Sequence, residues 1–478
     1  MNPEHWDVLT IGGGPGATPG AQWLAGHGQK VAIVERGDGL GGTCLFEGCI
    51  PSKIFLESAK RAQDIRNSEV FGLIGPKIQR VDLEQLRKRK ASIIAQRVEG
   101  ANQMCDQLGI TVLRGEADFI DPHHLAFTAP GEKPVVLTAK TIIVSPGSIS
   151  RPLEVSGATG PGIWTSTEAL DLSEIPSRLC IIGGGYIGME LATMYRSLGS
   201  QVHILEAGSR VLLSEDPLIA EGLVNIWQRT STQIAIETDV TIDRIEPVAG
   251  SESGKVVRYR TPRGGAQSLA ADRVLIAIGR APNTEGLQWS RAGISLGHRG
   301  EVPVNEFYQT QVPNIYAPGD VNGQIMLAHA ATRQSLIAAQ HILEQKTFDR
   351  ALTVPHVIFS EPEIASVGAD SRDLAAHPEW KLTKWSYRQD ARALIVGDVL
   401  GYAQLIWDST SHEIQGLQVL GKDAGEMIQE VTYIITHHGT VDALVESIHA
   451  HPTMSEVISE LAMQAYQEIR PRPSAVGP

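Results

Sequence analysis

Cysteine is scarce in this chain: 478 residues hold four, Cys44, Cys49, Cys105 and Cys180. That is too few for a secreted fold of this size in which disulfides replace a missing core. Low-complexity tracts and long charge runs are absent, so no extended disordered region is expected. No apolar run approaches the roughly 18 residues that a membrane-spanning helix requires. Positive charge is in deficit, with 41 Lys and Arg against 54 Asp and Glu for a formal net charge of -13. Such a surface repels a phosphate backbone and excludes nucleic acid as the main partner. The opening MNPEHWDVLTIGGGPG has no basic segment ahead of its apolar run, so it does not read as a secretory signal. The expectation is a cytoplasmic protein without a membrane partner.

At this length, two to four domains are expected. One pattern occurs twice, as DVLTIGGGPGATPGAQWLAGHGQKVAIVE and as LCIIGGGYIGMELATMYRSLGSQVHILE. Each copy has an apolar strand, a glycine turn, a helical stretch and a second strand ending in Glu. This is a βαβ dinucleotide-binding pattern. The first glycine permits the tight turn and the second lets the backbone approach a pyrophosphate. The third small residue lets the helix pack on the strand. Gly12, Gly14, Gly16 and Ala17 serve the first copy; Gly183, Gly185 and Gly188 serve the second. A lone glycine cluster is often only a turn, but two complete copies are strong evidence. Glu35 and Glu206 stand where a carboxylate accepts a ribose 2′-hydroxyl, which favours NAD over NADP in the second copy. Arg210 lies close enough in sequence to weaken that preference.

Each copy is followed by short alternating segments that end in an apolar strand and a glycine, at Gly147 in KTIIVSPGS and Gly279 in DRVLIAIGRAPN. Turn signals such as PGEKP and TPRGG predict a small antiparallel meander in each half. From about residue 350 the texture changes to strands such as YAQLIWD and EIQGLQVLG with amphipathic helices such as AGEMIQEVTYIITHH. The expected fold is α/β: two Rossmann-like dinucleotide-binding domains and a C-terminal α+β domain. The expected spans are 1–150 and 151–280 for the two nucleotide domains, 281–350 for a central domain and 351–478 for the last.

Between the two copies lies GGTCLFEGCIPSK, in which four residues separate Cys44 from Cys49. In a reducing compartment such a pair is redox-active or metal-binding more often than structural. An ideal α-helix holds that spacing beyond the about 7 Å that a disulfide spans. Bridging therefore needs a distorted helix start, for which Gly41, Gly42 and Gly48 are available. A zinc site would need further ligands at suitable spacing, and none is nearby, so no metal is expected. Cys105 and Cys180 lie in apolar segments and read as packing residues.

At this segment the chain resembles the pyridine nucleotide-disulfide oxidoreductases, and within them the dihydrolipoamide dehydrogenase branch. The resemblance extends over GGGYIGMEL, GRAPN, IYAPGDV, MLAHAA and the C-terminal HAHPTMSE. It implies FAD at the first dinucleotide site, with Gly42, Thr43 and Asp320 among the residues around it. Met326, Leu327, Ala328 and His329 open a helix aimed at the flavin. It implies NAD at the second site, with Tyr186 beside the glycines. Cys44 and Cys49 are then the redox disulfide, Lys53 lies near the flavin paired with Glu190, and His451 is the catalytic base held by Glu456. His449 reads as a loop residue. The last domain is implied to make a homodimer, with the base supplied across the subunit interface.

The implied activity is oxidation of dihydrolipoamide on a separate lipoyl-bearing protein, with electrons passing through the cysteine pair and FAD to NAD. No lipoyl segment is recognised ahead of residue 1. Phe46 and Glu47 depart from the family pattern by placing bulk and negative charge between the cysteines. That charge either opposes thiolate formation or changes which partner docks. Ser145 and Pro146 replace a more usual Ala-Thr, and Pro19 fits only the first turn of a helix. Other readings are a related FAD/NAD(P)H disulfide reductase with another substrate, or a docking protein of low turnover. Mercuric and thiol-tailed thioredoxin reductases fit less well, because no cysteine pair occurs near the C-terminus.

Overall fold

The structure is a computed structural model that describes residues 4–470 apart from 76, 231–233, 263, 347 and 349–351. The sequence boundary placed near residue 350 lies outside the described residues.

The first glycine copy is a strand-helix-strand unit: β1 (Glu4–Ile11), α1 (Thr18–Gly26) and β2 (Val31–Glu35). Pro19 sits in the first turn of α1, where its missing N–H costs no helical bond. A short helix α2 (Gly42–Phe46), α3 (Cys49–Arg66) and the long α4 (Leu83–Gln107) follow. The chain then adds β3 (Thr111–Arg114), β4 (Glu116–Phe119), β5 (His124–Thr128) and β6 (Val135–Val144). These form one sheet in the order β3-β2-β1-β6-β5-β4. The meander expected after the first copy is therefore not a separate layer. β4, β5 and β6 are antiparallel, but β6 runs parallel to β1 and carries the meander into the main sheet.

The second half opens with β7 (Ser148–Ser150), β8 (Ile163–Trp164) and α5 (Ser166–Asp171). The second copy is β9 (Arg178–Ile182), α6 (Tyr186–Leu198) and β10 (Gln201–Leu205), then α7 (Pro217–Arg229) and β11 (Ile234–Glu237). Here the meander does stand apart: β12 (Thr241–Pro247), β13 (Lys255–Arg260) and β14 (Ala266–Ala271) form their own sheet. The chain returns through β15 (Arg273–Ile276) to the parallel sheet β11-β10-β9-β15-β8. The strand β16 (Arg280–Pro282) pairs with β7. The two-residue β17 (Ile315–Tyr316) joins the first sheet beside β6, and α8 (Ala328–Ile342) packs on α1. Trp289, Ile294, Val302 and Ile315 share a core with Trp6 and Leu9, so this stretch completes the first unit.

The last sheet is antiparallel, in the order β18 (His356–Ile358), β19 (Ile364–Gly368), β22 (Ile414–Leu420), β21 (Tyr402–Asp408) and β20 (Trp380–Ser386). The short α9 (Ala391–Val396) lies between β20 and β21. Helices α10 (Ala424–Thr436), α11 (Val441–Glu446) and α12 (Glu456–Ile469) complete this part, whose core includes Tyr387, Trp407, Val431 and Leu461. A further cluster crosses the units: Ile54 and Phe55 of α3 pack with Met189 and Tyr195 of α6 and with Ile358 and Leu420. Burying one such side chain is worth about 1.5–3 kcal/mol, so this cluster fixes how α3 meets α6.

Candidate active site

The two glycine turns are built alike. Gly12 and Gly183 each end a strand with positive φ, +96° and +108°, where a Cβ is disfavoured. Glu35 accepts the amides of Gly13 at 2.7 Å and Gly37 at 2.6 Å. Glu206 accepts those of Gly184 and Gly208, both at 2.6 Å. Each carboxylate thus braces its phosphate turn against the end of the second strand, a task not apparent in the sequence. A carboxylate has about four lone-pair sites, so each retains capacity for a ribose hydroxyl. The Arg210 guanidinium donates to the carbonyls of Val211 (3.2 Å), Leu212, Leu213 (3.1 Å) and Glu215 (2.8 Å), so its N–H groups are engaged in holding the loop that follows β10.

The first turn faces a large cavity, and the start of α6, which follows the second turn, reaches the same space. Its volume of about 1450 Å³ exceeds the roughly 300–1,000 Å³ of ordinary small-molecule pockets. Gly12, Gly14, Gly16 and Glu35 line one end, with Gly42 and Thr43 beside them. Cys44, Cys49, Lys53, Tyr186 and Glu190 line the middle. Gly147, Asp320, Met326, Leu327, Ala328 and His329 complete the wall. Residues from four stretches of sequence thereby meet around one space. Gly183, Gly185, Gly188, Glu206 and Gly279 belong to the second turn and its neighbouring strand end, outside that wall.

Cys44 and Cys49 are thiols here. α2 carries Cys44 and stops at Phe46; Gly48, with φ -139° and ψ -112°, breaks the chain, and Cys49 opens α3. The helix is therefore interrupted between the cysteines and not merely distorted at its start. Cys49 faces the cavity. The thiol of Cys44 donates to its sulfur, and the Lys53 ammonium adds its field. Together they outweigh burial and pull Cys49 down to about 7. The same interaction, reinforced by burial, pushes Cys44 up. As pH rises, Cys49 is the member of the pair that ionises first.

Lys53 and Glu190 form a bidentate ion pair at 2.8 and 2.9 Å. The amide of Phe359 donates to the same carboxylate at 3.1 Å, and the Phe359 ring lies under the Lys53 ammonium, 4.4 Å from its centroid. A buried charge is tolerated when paired and hydrogen-bonded in this way. Asp320 is held by a chain of contacts. Arg280 Nε donates to the Ser148 hydroxyl at 2.7 Å, and that hydroxyl donates to Asp320 at 2.5 Å. Burial pushes the Asp320 carboxyl up. Arg280 and Ser148 were missed in the sequence, although both stand inside the motif segments. Ser145, seen there only as a departure, ties two loops together. Its hydroxyl lies 2.6 Å from the Pro318 carbonyl and 3.1 Å from that of Gly16. His329 Nε2 donates to the Pro355 carbonyl at 2.9 Å, and burial keeps the ring's pKa down.

His451 and Glu456 meet at 2.9 Å through Nδ1 and Oε1, and the Thr453 amide donates to the other carboxylate oxygen at 2.9 Å. The His451 contact is the largest cause holding Glu456 down. This pair does not line the cavity of its own chain, and the imidazole is 71% exposed. His449 is a loop residue, but its Nε2 meets both oxygens of Glu430 at 3.1 and 3.2 Å. Cys105 and Cys180 are fully buried, in keeping with packing.

The glycines test whether dinucleotides fit. A Cβ on Gly185 would meet no protein atom within 4 Å, and one on Gly14 would meet only the Gly42 Cα at 3.6 Å. Neither glycine has positive φ. Nothing in the protein itself demands glycine at these two positions, whereas a pyrophosphate approaching the backbone does. Both turns fit a dinucleotide pyrophosphate, the group that FAD and NAD share. Among the described residues no cluster suits a metal ion, and no helix is long and apolar enough to cross a membrane.

Residues 6–335 match the pyridine nucleotide-disulphide oxidoreductase family, and residues 354–462 match its dimerisation domain. A dihydrolipoyl dehydrogenase of Chlamydia trachomatis is 36% identical, with 97% of each chain covered. One of Bacillus subtilis is 35% identical over 95% of this chain and 97% of its own. Among solved structures, the Cu(II) complex of RclA, an HOCl-induced flavoprotein disulfide reductase of Escherichia coli, superposes with a TM-score of 0.85. It is 28% identical and covers 97% of this chain and 100% of its own.

Proposed function

Because this chain belongs to the pyridine nucleotide-disulphide oxidoreductase family, we propose that it is a dihydrolipoyl dehydrogenase. It oxidises dihydrolipoamide carried by a separate lipoyl-bearing protein and reduces NAD. The observation that carries this reading is the cysteine pair: Cys49 is drawn down to about 7 beside Lys53, in a cavity wall shared by the first dinucleotide turn and the start of α6.

In the oxidised enzyme Cys44 and Cys49 form the disulfide. A substrate thiol loses its proton to His451, and the resulting thiolate attacks the Cys44 sulfur. Cys49 leaves as the thiolate, the role its lowered pKa suits. The second substrate thiol displaces Cys44 and releases the cyclic disulfide, with Cys44 taking up the proton. Glu456 fixes the His451 tautomer and stabilises its charged form. Lys53, held on Glu190, stabilises the Cys49 thiolate. FAD, when bound, supplies the two-electron chemistry that connects the reduced pair with NAD. Gly12, Gly14, Gly16, Gly42, Thr43, Gly147 and Asp320 would hold FAD, with residues 326–329 beneath it. Gly183, Gly185, Gly188, Glu206 and Gly279 would hold NAD, with Tyr186 at its nicotinamide end.

The proposed assembly is a homodimer in which His451 of the partner subunit serves Cys44. Exposure of His451 away from its own cavity supports this. So does unburied apolar surface at Val70, Leu73, Ile74, Leu394 and Ile448. Residues 281–350 are assigned to the FAD-binding unit and 351–478 to dimerisation; the cytoplasm is the proposed location.

The test is anaerobic turnover of the purified flavoprotein with dihydrolipoamide and NAD. NADH formation that is lost in Cys44→Ser and Cys49→Ser supports the reading. A flavin that responds to NADH, in an enzyme that leaves dihydrolipoamide untouched, overturns it. The charge at Glu47 favours one second reading, a reductase of the same family acting on another disulfide.

A further inference from the structure

Glu47 is the only charged residue between the two cysteines. It lines the same cavity as both and is exposed. Its side chain forms no ion pair among the described residues, and the hydrogen bond it accepts is a long one, from the Thr167 hydroxyl at 3.5 Å. Of the cations in the cavity wall, Lys53 is held by Glu190 and Arg280 by Ser148, while Arg36 directly follows β2. None of the three pairs with Glu47, so its negative charge stands without an ion-pair partner among the described residues. Lys53, Glu190 and Asp320 are among the charges that act on the thiols themselves. Glu47, exposed in the cavity wall, is placed to act on whatever approaches the sulfurs from the cavity.

We propose that Glu47 is a specificity residue of the cysteine pair, selecting neutral or cationic thiol and disulfide substrates against anionic ones. The inference deepens the preceding reading, since it rests on Cys44 and Cys49 being the substrate-exchanging pair. It also narrows the substrate class. A lipoyl group joined to a protein amine is an uncharged amide at its tail, whereas the free acid is an anion. Glu47 accepts the first and repels the second through the field of its carboxylate.

Two probes of matched size, one neutral and one anionic, test this without assuming the substrate. The reduced holoenzyme is alkylated with iodoacetamide or iodoacetate; in each case a cysteine thiolate displaces iodide and forms a thioether. In Glu47→Gln the iodoacetate-to-iodoacetamide rate ratio is expected to rise about 3-fold or more, and the gain to vanish near 1 M salt, where the Debye length is about 3 Å. Glu132→Gln, an equal charge change on a remote turn, leaves the ratio unchanged. The turnover ratio of dihydrolipoate to dihydrolipoamide is expected to rise in parallel. An unchanged alkylation ratio in Glu47→Gln, or an equal rise in Glu132→Gln, overturns the proposal. A shifted alkylation ratio in an enzyme that turns over neither lipoyl compound upholds the role of Glu47 and overturns the lipoamide reading instead.

Discussion

Lys53 and Glu190 stand 137 residues apart in sequence and meet in a bidentate ion pair of 2.8 and 2.9 Å, because α3 packs on α6. The pair joins the cysteine segment to the helix of the second dinucleotide unit. Its ammonium is one of the influences that lower Cys49. Replacing it with an isosteric apolar chain, Lys53→Met, is expected to raise the Cys49 pKa by about one unit or more, the usual effect of losing a nearby opposite charge. The pH dependence of iodoacetamide alkylation in the reduced enzyme measures the shift. Glu190→Gln removes a neighbour that raises Cys49, and so shifts the same profile to lower pH.

The largest influence on Cys49 is the thiol of Cys44. A thiolate reacts and a thiol does not, so wild-type alkylation is expected to rise as pH passes upward through about 7. Cys44→Ala removes the donor and moves the rise to higher pH. Cys44→Ser keeps an O–H at that position and falls between the two. If the Ala and Ser variants coincide with wild type, Cys44 does not donate to Cys49.

Much of this arrangement is legible in the sequence because it is carried by local chemistry. The glycine turns need Gly12 and Gly183 at positive φ wherever they occur, and duplication makes the pattern specific. The cysteine pair and its flanking glycines are likewise contiguous. What the sequence conceals depends on distant packing. The link from Arg280 through Ser148 to Asp320 spans 172 residues between Ser148 and Asp320, and no periodicity announces it. Arg210 is hidden for the opposite reason. Its proximity to Glu206 is plain in the sequence, but nothing there shows that the loop folds back so that its own carbonyls engage the guanidinium. The antiparallel meander of the first half was visible, but its merger with the main sheet was not, because β6 serves both.

Gly42 combines a φ of +58° with a close approach to the first phosphate turn; a Cβ there would come within 2.9 Å of the Gly14 Cα. The backbone term alone costs about 1 kcal/mol on substitution. The clash adds to it by pushing Gly14 out of place. Gly42→Ala is expected to fold but to be purified with less than half of its flavin, read from the visible-to-ultraviolet absorbance ratio. Full flavin content would show that Gly42 does not shape the FAD turn.

Arg210 provides a test of coenzyme choice. Since its guanidinium is bound to four backbone carbonyls, Arg210→Ala is expected to lower the melting temperature while leaving the NADPH-to-NADH preference within about twofold, far short of the roughly tenfold that 1.4 kcal/mol of lost phosphate contact gives. A phosphate ligand would behave otherwise: its loss would depress NADPH use and spare NADH. Steady-state rates with both coenzymes, measured beside thermal unfolding, separate the two roles.

His451 and Glu456 allow the sharpest test, because their proposed site is shared between chains. Removing the base, His451→Gln, is expected to lower kcat with dihydrolipoamide by about 100- to 10,000-fold, the range of general-base effects. Glu456→Gln leaves the imidazole in place without its carboxylate and costs less. A hybrid dimer made from one Cys44→Ser chain and one His451→Gln chain then distinguishes geometry from mere necessity. If His451 of the partner subunit serves Cys44, one of the two sites in the hybrid has an intact cysteine pair facing an intact histidine, while the other has neither. Such a dimer regains about half the wild-type rate although each parent is inactive, as an isologous two-fold interface requires. If each chain used its own histidine, both sites would stay broken and mixing would restore nothing.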